Sequence, residues 1–105
     1  MSIKYVYIVM YDIENQDKSK EYKKFHKEIK KMGGLMLQGS VYAFYAINIE
    51  RVNKLTGRLS ILASPELHIR GIRLTEDAFE KMDIIAGELK VSEKLMEKSC
   101  YIIEV

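Results

Sequence analysis

An aspartate, Asp12, closes the chain's one long apolar run, Tyr5-Val6-Tyr7-Ile8-Val9-Met10-Tyr11. A carboxylate at the end of a strand is the ligand type that a hard divalent ion takes, and such an ion suits a phosphodiester. Just downstream, between Lys18 and Lys31, stand seven lysines against only Glu21 and Glu28. A lysine run by itself reads as a solvated helix face. Beside a metal-type carboxylate it reads as a surface for phosphates. Taken alone, Asp12 reads first as a turn former before Glu14-Asn15.

Phosphodiester hydrolysis needs a charge to stabilise the developing oxyanion and a deprotonated water to attack, and Mg²⁺ (or Mn²⁺) supplies both. Magnesium takes one or two carboxylates and fills its remaining positions with water and phosphate. One Asp12 per chain is a thin site, whereas two copies pairing across an axis would bring two carboxylates to one ion. Asp12 is the candidate for a catalytic, metal-ligating role, which it takes on a family resemblance rather than on these residues alone. Candidate nucleic-acid contacts are Lys20, Lys23, Lys24, Lys27 and Lys31 on the cationic helix, Gln38 and Ser40 beyond it, and Arg70 and Arg73 later. Ser40 has no histidine within its motif and no Gly-x-Ser-x-Gly elbow, so it closes a hairpin or touches a phosphate rather than attacking.

Other chemistry is excluded more simply. A single Cys100 cannot form an intramolecular disulfide. His26 and His68 are far apart and lack partners at zinc spacing. Tyr5, Tyr7 and Tyr11, with Tyr42, Phe44 and Tyr45, occupy strands on which an RNA-recognition sheet displays stacking aromatics. The segment Gly39-Ser40-Val41-Tyr42-Ala43-Phe44 lacks the leading basic residue of that motif, so these rings are expected in the core or an interface. The methionines at apolar positions are core filler.

The elements that must position these residues follow from periodicity. Ile3 to Asp12 reads as a strand apolar on both faces, hence central in a sheet covered on both sides. Asn15, Asp17 and Ser19 offer turn and cap chemistry. A helix from Ser19 to Met32 carries Tyr22, Phe25, His26, Ile29 and Met32 on one side and stops at Gly33-Gly34. His26 on that stripe is expected to be a satisfied core-edge histidine. Leu35 to Gln38 and Val41 to Ile47 form a hairpin about Gly39-Ser40. Asn48 caps a second helix with the stripe Ile49, Val52, Leu55, Leu59 and Leu62. His68 to Leu74 is the fourth strand, and its change of apolar parity across Gly71 predicts a bulge. Thr75-Glu76-Asp77 opens a short helix, and Asp83 to Gly87 and Tyr101 to Val105 are further strand candidates.

The order is β-α-β-β-α-β with a C-terminal extension, the α+β ferredoxin-like pattern. The 105 residues, 48% apolar and 30% charged, suit one domain, with a core over about 1–82 and the extension over about 83–105. Two helices cover one sheet face, so a second copy is expected on the other, giving a homodimer through sheet faces. The first apolar run is too short to span a bilayer, and the chain reads as cytoplasmic with no membrane partner.

Several segments resemble a known family in their order and spacing. They are Tyr11-Asp12, Tyr22-Lys23-Lys24-Phe25, Gly34-Leu35-Met36-Leu37-Gln38-Gly39-Ser40-Val41-Tyr42, Leu74-Thr75-Glu76 with Phe79 and Met82, and Ile84-Ile85-Ala86-Gly87-Glu88. Together they are similar to CRISPR-associated protein two, the small spacer-acquisition protein also described as a metal-dependent endonuclease. The resemblance implies a ferredoxin-like homodimer whose C-terminal strand lies against the partner's sheet. It also implies a role as a scaffold for duplex DNA alongside the larger CRISPR adaptation integrase, and leaves RNA and DNA both open as the nuclease substrate. Family members often carry arginines in the first helix where this chain has lysines, which bind phosphate as point charges without the bidentate fork. A toxin-like ribonuclease of the same fold, which the Gly-Ser-Val-Tyr segment also resembles, and a non-catalytic RNA-recognition module are the competing readings.

Overall fold

The computed structural model describes residues 3–13 and 19–87. Its elements are β1 (Tyr5–Ile13), α1 (Ser19–Lys31), β2 (Leu35–Gln38), β3 (Val41–Ala46), α2 (Ile49–Leu62), β4 (Leu67–Thr75) and α3 (Glu76–Glu80). The four strands form one sheet in the order β2-β3-β1-β4, and every neighbouring pair is antiparallel. β1 and β2 run parallel with β3 inserted between them, which is the split βαβ arrangement of the ferredoxin-like fold.

β1 is central, as its two apolar faces require. Its odd positions, Tyr7, Val9 and Tyr11, join Phe25 and Ile29 of α1 and Val52 and Leu59 of α2 in the main core. Both helices therefore cover the same sheet face. The even positions, Val6 and Ile8, form a second cluster with Ala43, against which Leu35, Leu37, Tyr45, Leu74 and Phe79 pack. Part of the face expected to await a second copy is thus covered by this chain's own α3. Beyond that cover, Met10 and Ile72 remain 38% and 48% exposed.

The local punctuation works as its chemistry suggests. Gly33 ends α1 at a φ of 93°, a left-handed conformation that costs glycine little. The Asn48 side chain accepts from the Arg51 N–H at 3.0 Å, and the Thr75 hydroxyl accepts from the Ala78 N–H at 3.1 Å. Ser40, at a φ of 62°, turns the β2–β3 hairpin.

Two expectations are corrected. There is no bulge at Gly71, since β1 and β4 stay in one register from Tyr5↔Thr75 to Ile13↔Leu67. The parity change arises because Leu67 and Ile69 face the main core while Leu74 joins the second cluster on the opposite face. Glycine is needed there for another reason: a Cβ would lie 2.5 Å from Cζ of Tyr7. Among the described strands, the register shifts between Met36 and Gln38 on β2. Residues 83–87 form no strand. The strand expected at Tyr101 to Val105, and the caps at Asn15 and Asp17, lie outside the described residues.

Candidate functional site

Alternation along β1 puts Asp12 on the same face as Val6, Ile8 and Met10, opposite α1 and α2. Its side chain is exposed at the end of the strand. The antiparallel register sets His68 directly opposite Asp12 and Arg70 directly opposite Met10. Same-face residues on adjacent strands lie about 5 Å apart when directly opposite and roughly 7–8 Å apart on the diagonal. Asp12, His68 and Arg70 thus share one corner of the face opposite α1 and α2, which among the described residues α3 covers only in part, offering a carboxylate, an imidazole and a guanidinium.

That corner suits an anionic ligand with a hard cation, and the donor set limits what it can hold. Among the described residues there is no group of three His, Cys, Asp or Glu side chains that could hold a metal. A single Asp12 fits an ion held mostly by water and phosphate, the manner in which magnesium is commonly bound. It does not fit a closed protein cage.

The lysines lie elsewhere. Phe25 and Ile29 point α1 into the core, so Lys20, Lys23, Lys24, Lys27, Lys30 and Lys31, all exposed, line its outer side. Glu28 approaches Lys31 at 3.7 Å, a weak surface pair. The stripe therefore stands on the helix layer, whereas Asp12 stands on the opposite face of the sheet. Proximity in sequence suggested one composite surface, but the fold separates the two.

The remaining candidates are also split. Arg70 and Arg73 alternate onto opposite faces of β4. Arg73 donates from Nη1 to Asn53 Oδ1 of α2 at 2.7 Å, so it braces the helix layer. Gln38 is exposed at the end of β2. Ser40 hydrogen-bonds through Oγ with the Tyr22 hydroxyl, tying the hairpin to α1.

Beneath that tie lies a polar aromatic cluster. Tyr11 Oη is 2.6 Å from Nδ1 of His26, and Tyr42 Oη is 3.3 Å from its Nε2. A neutral imidazole satisfies both: Nδ1 accepts from the Tyr11 hydroxyl and Nε2–H donates to Tyr42. Tyr11 also meets Phe25 edge-on, with centroids 4.9 Å apart. Burial lowers the His26 pKa, and the nearby Lys30 charge adds to the effect. Burial raises Tyr11 and Tyr42, reinforced for both by neighbouring tyrosines. His26 is a satisfied core-edge residue, as its place on the helix stripe implied.

The same packing removes the RNA-recognition reading. Tyr7, Tyr11, Tyr42 and Phe44 are buried in the main core beneath the helices, and Tyr5 packs against it. A stacking platform needs its rings on the face opposite α1 and α2. Of the six aromatics considered for it, only Tyr45 lies on that side.

His68 is the site residue that sequence reasoning misses. Its residue type raises only the question of zinc, and no local spacing links it to Asp12. The one usable signal is the pairing of the first and fourth strands, which sets their polar ends side by side.

A model of the family described as CRISPR associated protein Cas2 matches residues 5–82. The chain is 29% identical over 91 residues to a protein of Campylobacter jejuni subsp. jejuni serotype O:2 named CRISPR-associated endoribonuclease Cas2. That match covers 84% of this chain and 63% of the relative, so the chain spans less than two thirds of the relative's length. A solved crystal structure of Cas2 superposes with a TM-score of 0.59 at 22% identity, over 86% of this chain and 93% of that one. At that identity the likeness shows the shared fold. No described helix is long and apolar enough to cross a membrane. Matched over most of its length, the chain belongs to the CRISPR associated protein Cas2 family.

Proposed function

We propose that the protein is a dimeric nucleic-acid-binding phosphodiesterase of CRISPR adaptation. In this reading Asp12 serves cleavage, and the α1 lysines hold duplex DNA for a larger integrase. The observation that carries it is the exposed Asp12 on the sheet face opposite α1 and α2, with His68 opposite and Arg70 two residues further along β4.

Two copies pairing through that face would place two Asp12 carboxylates near one another, which supports a shared Mg²⁺ or Mn²⁺. When bound, such an ion supplies Lewis acidity and an activated water. Asp12 would hold it, and Arg70 would hold the phosphate by charge-assisted hydrogen bonds. The name of the Campylobacter relative makes RNA the first substrate to assay, with duplex DNA beside it. The lysine stripe, on the far side of the sheet, would bind without taking part in cleavage. Separation of the two surfaces lets one protein act as scaffold and nuclease independently.

The test is Asp12→Asn, which keeps the shape of the side chain and removes its charge. Cleavage of RNA and of duplex DNA should fall by about two to three orders of magnitude, the usual loss for one catalytic contribution. Duplex binding, dimerisation and integration of DNA fragments with the larger partner should persist. Cleavage that survives both this change and EDTA would remove Asp12 and the metal from the site.

A further inference from the structure

The helix layer carries a second cationic row that the α1 lysines do not account for. On α2, Arg51, Lys54 and Arg58 are spaced by three and four residues and are all exposed. Val52 and Leu59 face the core, so helical geometry turns this row outward on the same layer as the α1 stripe. Only Glu50 opposes it on α2. Three cations against one acid there, and six against Glu21 and Glu28 on α1, leave the two helices with a surplus of six in a chain of net charge +2. The rest of the chain is therefore net acidic, and positive potential is concentrated on one layer.

We propose that the Arg51–Lys54–Arg58 row is a second phosphate track, so that α1 and α2 together grip the two strands of duplex DNA. This rests on the reading that the α1 lysines bind duplex DNA. Two helices lying side by side over one sheet have axes on the order of 10 Å apart. That spacing is comparable to the roughly 12 Å major groove between the two strands of B-DNA. A single strand would instead be held by rings on which its bases stack. None of the exposed residues described on α1 or α2 is aromatic. Arg73, hydrogen-bonded to Asn53, ties β4 to α2 and so to the layer that carries the second row.

The experiment compares two variants of the full chain, Arg51→Gln/Lys54→Gln/Arg58→Gln and Lys23→Gln/Lys24→Gln/Lys27→Gln/Lys31→Gln. Binding to a 5′-labelled duplex of about 30 base pairs, and to one of its strands alone, is followed by fluorescence anisotropy at several salt concentrations. Circular dichroism confirms that both variants fold, as expected for exposed positions. The α2 variant should reduce the log–log salt slope for duplex by about 2–3, at roughly 0.9 for each phosphate no longer neutralised. Its binding to single strand should change less than twofold. An unchanged duplex slope in the α2 variant, with a reduced slope in the α1 variant, overturns the second track and leaves the α1 reading standing. Unchanged slopes in both overturn the two together. Equal losses for duplex and single strand overturn the assignment to paired strands.

Discussion

At the scale of single residues, the His26 cluster ties stability to pH in a direction that can be worked out. Burial keeps folded His26 neutral below the ordinary histidine pKa, so under acid conditions the unfolded chain takes up a proton that the folded chain refuses. Stability from this group is present above about pH 6.5 and is lost as pH falls through that value. Tyr11 and Tyr42 act at the other end. Their raised pKa values mean the unfolded chain loses phenolic protons first, so stability is lost as pH rises beyond about 10. Urea midpoints measured from acid to alkaline pH should show a plateau between these limits. Tyr11→Phe should soften the alkaline limb and His26→Gln the acid one. A His26→Gln profile parallel to wild type between about pH 5 and 7 would deny the histidine this role.

Gly71 gives a second prediction at the same scale. Adding one methyl there drives a Cβ into the ring of Tyr7, itself buried in the core. Gly71→Ala should destabilise the fold by about 1–3 kcal/mol through overpacking. A denaturant midpoint equal to wild type would show that Tyr7 can move aside without loss.

At the scale of elements, α1 is built by one pattern that serves two ends. Tyr22, Phe25, Ile29 and Met32 face the core, and the spacing that directs them inward also directs the lysines outward. The two sides can be changed separately. Replacing Lys23, Lys24, Lys27 and Lys31 by glutamine should leave the helical signal intact. It should lower the salt slope of duplex binding by about 3–4, since each phosphate left unneutralised removes roughly 0.9. Cleavage of a short RNA at saturating enzyme should change little, because Asp12 lies on the opposite face of the sheet. Coincident loss of binding and of cleavage at saturation would place both tasks on one surface.

At the scale of the whole molecule, the sheet face opposite α1 and α2 is where assembly is predicted. α3 and Phe79 seal Val6, Ile8 and Ala43, but Met10 and Ile72 stay exposed beside Asp12 and Arg70. A second copy on this patch would bury that apolar surface and bring the two Asp12 residues together. Light scattering at micromolar concentration should report a dimer, and Met10→Lys with Ile72→Glu should shift it toward monomer. If the doubly charged variant stays fully dimeric, pairing uses another surface, and the shared two-carboxylate site goes with it.

The order of elements, the helix stops and both cap residues were legible in the sequence because each depends on a few adjacent residues. Asn48 and Thr75 cap their helices through side chains only three residues from the N–H they accept, so local chemistry suffices. Asp12 was likewise legible as an exposed acid at the end of an apolar strand. The sequence misled wherever meaning depended on which face a residue shared with a distant one. Gly71 looked like a bulge until Tyr7 was seen lying over it, whereas Tyr7, Tyr11 and Tyr42, expected in the core or an interface, do lie in the core beneath the helices. The lysines seemed to belong with Asp12 because they follow it closely, but a strand and its helix put them on opposite sides of the sheet. His68 stands 56 positions from Asp12 and becomes its neighbour only through the β1–β4 register. Adjacency across strands is set by pairing and burial of the whole chain, and tertiary structure alone decided it.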